Sequence, residues 1–143
     1  MDVLGLPLHP LVVHAAVVFV PLASLAALTV ILVGRWRDRY AWLAVAVAVM
    51  AAGAVIAAVV TGQAFATSLH AESLVATHSA YGRLLLYPTI GLAVTLPAAL
   101  LLRRRSQAGW RVAAGLSVLV AVAGLVLVVL TGHSGATAVW AGR

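Results

Sequence analysis

Histidine is the side chain in this sequence best able to do chemistry. Two of the five histidines, His9 and His14, lie in "LPLHPLVVHAAVVFVP" (residues 6–21), a stretch that otherwise holds only apolar residues and prolines. An unpartnered polar ring in hydrocarbon is costly, so these imidazoles require hydrogen bonds or a metal. Neutral imidazole is a common ligand of haem iron, zinc and copper. The elements around the histidines decide which of these sites can form.

Composition indicates that the chain is surrounded by lipid. Of its 143 residues 64% are hydrophobic and 8% are charged, and the mean hydropathy is +1.14. A soluble domain has about a quarter of its residues charged. The lack of cysteine excludes disulfides, thiolate metal sites and covalently attached c-type haem. The net charge of +6 comes from arginines between apolar runs, so we expect it to set topology and expect no nucleic-acid partner.

The apolar runs predict four transmembrane helices at about 10–34, 41–62, 79–102 and 111–131. Each run approaches or exceeds the roughly 20 residues that a helix needs to cross a bilayer. No polar/apolar alternation is present, and an open sheet edge is not stable in lipid, so strands are excluded. The sequence therefore predicts an all-α four-helix transmembrane bundle forming a single membrane domain over residues 1–143.

Arginine placement predicts how the bundle is oriented. Seven of the nine arginines lie in "RWRDRY" (35–40) and "RRRSQAGWR" (103–111), which connect the first helix to the second and the third to the fourth. Basic connections are retained in the cytoplasm, so both termini are expected to be extracytoplasmic. All five histidines then fall in the outer half of the protein.

An internal repeat relates the two halves of the chain. "AVVTGQAFAT" (58–67) at the end of the second helix matches "VVLTGHSGAT" (128–137) at the end of the fourth, and nearly the same offset relates His9 to His78. The chain therefore reads as two tandem helical hairpins in parallel orientation, related by a pseudo-two-fold axis along the membrane normal. This symmetry puts the first and third helices diagonally across the bundle.

One interpretation of the histidines is a haem site. His14 and His78, from the diagonally placed helices, would be the axial ligands of a haem b in the outer half of the bundle. Gly82 would let a porphyrin face approach, Arg83 would pair with a propionate, and Tyr81 would hydrogen-bond the bound group. One-electron transfer would be the function of such a site.

Two other interpretations remain open. In one, His9, His14, His78 and His133 bind zinc or copper at the outer face. In the other, the histidines bond only to backbone and water, and the protein is a cofactor-free membrane scaffold or packing subunit. Whether the protein is an enzyme is left open.

Several motifs resemble a known family. They are "GLPLHPLVVHAAVVFVPLA" at the start with His9, Pro10 and His14, His78 before the third helix, and "TGHSGATAVW" with Gly132, His133 and Gly135. Together they resemble the domain-of-unknown-function family 2231, which comprises small bacterial four-helix membrane proteins. The resemblance implies a multi-pass protein of the bacterial inner membrane. The family is similar to small membrane cytochromes in helix number and histidine placement, which favours a redox role. The expected partners are the lipid bilayer, a redox protein or quinone, and a second copy of the chain.

Overall fold

Four long helices make up nearly all of the protein. The computed structural model describes residues 2–3, 6–68, 70 and 72–140. A two-residue antiparallel pair, β1 (Asp2–Val3) and β2 (Leu6–Pro7), precedes the helices, which are α1 (Leu8–Leu32), α2 (Gly34–Ser68), α3 (Ala76–Leu102) and α4 (Gln107–Trp140). All four helices are long and apolar enough to cross a membrane, which confirms the all-α transmembrane class.

The helices extend beyond the apolar runs that predict them. The 35-residue α2 begins at Gly34, so the basic stretch expected as a loop is its first turns. At 1.5 Å per residue α2 is about 52 Å long, against about 30 Å of hydrocarbon. The α4 helix likewise continues to Trp140. An apolar run marks the part of a helix inside the membrane, whereas its backbone hydrogen bonds can continue into water.

The helices form a ring in chain order. Most contacts join α1 to α2 and α3 to α4, with fewer between α2 and α3 and between α1 and α4, and α1 scarcely touches α3. The hairpins and the diagonal placement of α1 and α3 are therefore as the repeat predicts. We call the end with the starts of α1 and α3 the histidine end, and the opposite end the arginine end.

Close packing is concentrated towards the arginine end. The buried residues of α2 are five alanines and a valine, all within Ala41–Val55. Small side chains let helix backbones approach closely where lipid gives no hydrophobic drive for association. Among the side chains that the structure describes, none is fully buried in 8–15, 56–68, 76–84 or 129–140. The turns of all four helices at the histidine end are therefore more loosely packed.

Side chains at the arginine end tie the two hairpins together. The Arg37 guanidinium donates to the Val30 carbonyl at 2.7 Å, covering the end of α1, and lies 5.2 Å from the Trp110 ring centre on α4. Arg103 Nη1 donates to Asp38 Oδ1 at 2.7 Å, joining the end of α3 to the start of α2. The Arg37–Trp110 and Arg103–Asp38 contacts cross from one hairpin to the other.

Replacement of a central leucine tests this packing. Leu96 is fully buried, whereas Leu101, five residues further along α3, is 61% exposed on the outer surface of the bundle. We expect Leu96→Ala to lower the free energy of unfolding by about 2–5 kcal/mol, because it leaves a cavity among packed helices. Leu101→Ala is the matched control. Unfolding in mixed micelles measures both, and equal losses would contradict the described core.

Candidate functional site

A cavity opens between the four helices at the histidine end. Its volume is about 320 Å³, and its lining is predominantly apolar, with residues from every helix. Cofactor and ligand sites typically occupy about 300–1,000 Å³ and combine apolar walls with a few polar groups. Two imidazoles, His9 and His78, line this cavity.

The buried side chains that face the centre of the bundle form one stripe along each helix, and the stripes of α1 and α3 end at these imidazoles. Residues seven apart lie on nearly the same face of a helix, and the innermost stripe of each helix follows this spacing. One further step of seven residues towards the histidine end takes the four stripes to His9 in α1, Gly62 in α2, His78 in α3 and Gly135 in α4. The buried members are Ala16, Ala23 and Val30; Ala41, Ala48 and Val55; Leu85, Leu92 and Ala99; and Ala114, Ala121 and Val128.

His9 is held by the last turns of α2. Its Nδ1 lies 3.2 Å from Thr61 Oγ1, and the Thr61 hydroxyl itself donates to the Ala57 carbonyl at 2.8 Å. The hydroxyl proton is thus in use, so we assign the shared proton to His9 Nδ1. The His9 Nε2 then keeps its lone pair. The ring also lies 5.9 Å from the Phe65 ring.

His78 is held in the same way by α4. Its Nδ1 lies 2.9 Å from the backbone carbonyl of Thr131. A carbonyl oxygen can only accept, so Nδ1 carries the proton and Nε2 is left unprotonated. A ligating histidine in proteins commonly donates its other ring N–H to an oxygen, which fixes the tautomer and orients the ring. Both cavity histidines have this arrangement.

Glycine provides the space for each ring. A Cβ at Gly62 would lie 2.8 Å from His9 Cε1, and one at Gly135 would lie 2.9 Å from His78 Nδ1. Each ring therefore packs directly on the backbone of its neighbouring helix. The halves are similar but not identical, because His9 bonds a threonine hydroxyl and His78 a threonine carbonyl.

The other residues predicted for the site are distributed between the cavity and the surface. Gly82 and Arg83 line the cavity with His78. Tyr81 is half-buried and does not line it. His14 is exposed, with Nδ1 bonded to the Pro10 carbonyl, and lies outside the cavity.

The remaining two histidines are also at the surface. His133 is exposed on α4, and His70 is exposed in the α2–α3 connection, where its φ is +50°. Within the described part of the chain, no group of three or more His, Cys, Asp or Glu side chains is placed to hold a metal ion. The structure thus brings His9 and His78 to one cavity but does not bring His14 or His133 there.

Sequence reasoning missed the groups that support the rings. Thr61 and Thr131 were noted only as marks of the repeat, and Gly62 was not assigned a role. The signal that identifies them is the seven-residue spacing, which relates Gly62 to Val55 and Gly135 to Val128. The same spacing identifies His9 as the inward-facing histidine of α1.

An alanine at Gly62 tests the contact with His9. We expect Gly62→Ala to lower the free energy of unfolding by about 1 kcal/mol relative to Gly53→Ala, because the methyl group displaces the ring and breaks its hydrogen bond. Gly53 lies in the same helix and a Cβ there meets nothing within 4 Å, so it controls for helix propensity. Thermal unfolding in detergent measures the difference. Indistinguishable melting temperatures would show that the contact does not contribute.

Comparison with known proteins agrees with the fold. A search of curated proteins gives no match, and neither does a search of solved structures. The family model described as "Predicted membrane protein (DUF2231)" matches residues 5–143, nearly the whole chain. The chain therefore belongs to the DUF2231 family of membrane proteins.

Proposed function

We propose that this membrane protein binds haem b between His9 and His78 and transfers single electrons. The observation that carries the proposal is the pair of imidazoles lining one apolar cavity, each with Nδ1 within hydrogen-bond distance of a chain oxygen. The tautomers assigned above leave Nε2 of each ring as the lone-pair donor. Bis-imidazole ligation of haem uses two such nitrogens. His9 takes the position that the sequence suggested for His14.

The number of available ligands favours haem over a bare metal ion. Structural zinc sites use four protein ligands and catalytic sites three. The cavity offers two imidazoles, and no cluster of three ligands exists in the described residues. A porphyrin brings its own four nitrogens, so two histidines complete the coordination of its iron.

Other cavity residues fit the porphyrin ring and the propionates of a haem. Added Cβ atoms at Gly82 and Gly132 would meet nothing within 4 Å, so both positions leave open space in the cavity wall. Arg83 is exposed on the lining of the cavity, where its guanidinium is available to a propionate.

The chain would contribute ligation, orientation and exclusion of water. Bound haem would supply a one-electron iron couple, and its potential would depend on imidazole ligation and on the low dielectric of the lining. Thr61 and the Thr131 carbonyl would orient the two rings. By the positive-inside rule the arginine end is cytoplasmic in the bacterial inner membrane, so the site would exchange electrons with a quinone or redox protein near the outer surface.

Loss of ligands tests the proposal. We expect the purified protein to show a Soret band that shifts on reduction with dithionite, and His9→Ala and His78→Ala each to abolish it. His14→Ala and His70→Ala are matched controls on exposed histidines and should keep the band. Thr61→Val should weaken haem affinity about 10–100-fold, because it removes the acceptor that orients His9.

The alternatives give different results. Colourless protein that contains stoichiometric zinc or copper would favour the bare-metal site over haem. Protein that contains neither haem nor metal would favour the cofactor-free scaffold. Loss of haem in His14→Ala but not in His9→Ala would return the ligand role to His14.

A further inference from the structure

The arginine end carries a large excess of positive charge. Seven arginines lie there, in 35–39 and 103–111, and Asp38 is the one acidic residue of those segments. Asp38 is bonded to Arg103, and Arg37 is engaged with the end of α1. The other five arginines have no carboxylate partner anywhere in the described structure. They are Arg35, Arg39, Arg104, Arg105 and Arg111.

Stabilisation of their own helix does not explain Arg35 and Arg39. Arg35 lies in the first turn of α2, and Arg39 lies one turn further on. The start of a helix carries a partial positive charge, so cations there are unfavourable. An anion from outside the chain would offset this unfavourable charge at Arg35 and Arg39.

Aromatic rings hold two of these arginines at a defined depth. The Arg35 guanidinium lies 5.5 Å from the centre of the Trp36 ring, and that of Arg39 lies 5.6 Å from the centre of the Tyr40 ring. The two aromatic rings contact each other edge-on at 6.4 Å. Trp and Tyr side chains prefer the membrane–water interface. This preference favours a position of the two guanidinium groups at the level of the lipid headgroups.

We infer that the arginine end binds the headgroups of anionic phospholipids. Guanidinium groups bind phosphate oxygens through paired, charge-assisted hydrogen bonds. Apolar side chains lie next to the arginines along the same helices: Trp42 is 61% exposed and Leu43 62% on α2, and Val112 is 64% exposed on α4. A ligand that combines a phosphate with acyl chains fits both surfaces, whereas a free phosphate fits only the first.

Lipid titration of the full-length protein in detergent tests the inference. We expect phosphatidylglycerol to raise the melting temperature more than phosphatidylcholine does, with inorganic phosphate having little effect. In Arg35→Gln/Arg39→Gln the apparent affinity for phosphatidylglycerol should fall roughly fivefold for each arginine removed. This variant leaves Arg37 and Arg103 in place, so the contacts between hairpins are kept. His70→Asn, on an exposed residue at the histidine end, is the control and should have no effect.

Three results would overturn the inference. These are equal stabilisation by the two lipids, equal stabilisation by inorganic phosphate, and an equal loss in the His70→Asn control. If the double variant does not fold, the wild-type protein still decides the question, because its preference for phosphatidylglycerol must weaken as salt concentration rises. A preference that does not depend on salt would contradict the inference.

Discussion

A polar group inside a hydrocarbon layer must find its partner within the protein, and this constraint fixes the two cavity imidazoles. His9 obtains its partner from α2 and His78 from α4, so each hairpin holds its own ring. In both cases the partner is an oxygen of a threonine near the helix end. With Nδ1 as the donor in both rings, Nε2 of each imidazole is left unprotonated. The hydrogen-bond requirement of the membrane thus produces a pair of donor nitrogens.

The two ends of the bundle differ in how closely the helices pack and in whether polar side chains join the two hairpins. Towards the arginine end, stripes of small residues such as Ala44 and Ala48 bring the helices together, and Asp38 and Arg103 join the hairpins. At the histidine end, contacts such as that of His9 with Gly62 lie within a hairpin. Since the rings pack on their own hairpin partners, they do not close the gap between hairpins. The cavity is the consequence.

Much of the fold could be predicted from the sequence, whereas the inward face of α1 could not be read from hydrophobicity. Four apolar runs and the Thr-Gly repeat were sufficient for the helices and their ring order. His78, Gly82 and Arg83 line the cavity together because they follow one another in α3. His14 was preferred to His9 because it lies deeper in the apolar run. In a membrane helix both the lipid face and the core face are apolar, so hydrophobic periodicity does not show which histidine points inwards. Residue size does show the inward face. The small residues Ala16 and Ala23 lie on the same face of α1 as His9 and are buried, whereas Val18 and Leu25 lie on the side of His14 and are exposed.

The site is best described as the last layer of the bundle rather than as a pocket added to it. Seven-residue stripes of Ala, Val and Leu run from the arginine end and reach His9, Gly62, His78 and Gly135 in the same register. This layer consists of two imidazole rings and two glycines, and each ring packs on the backbone of one glycine. The four positions therefore depend on one another. Their alignment is set by the close-packed layers below, which are held in register by contacts at the opposite end. The arrangement of His9 and His78 at one end of the bundle therefore depends on packing that extends to the other end.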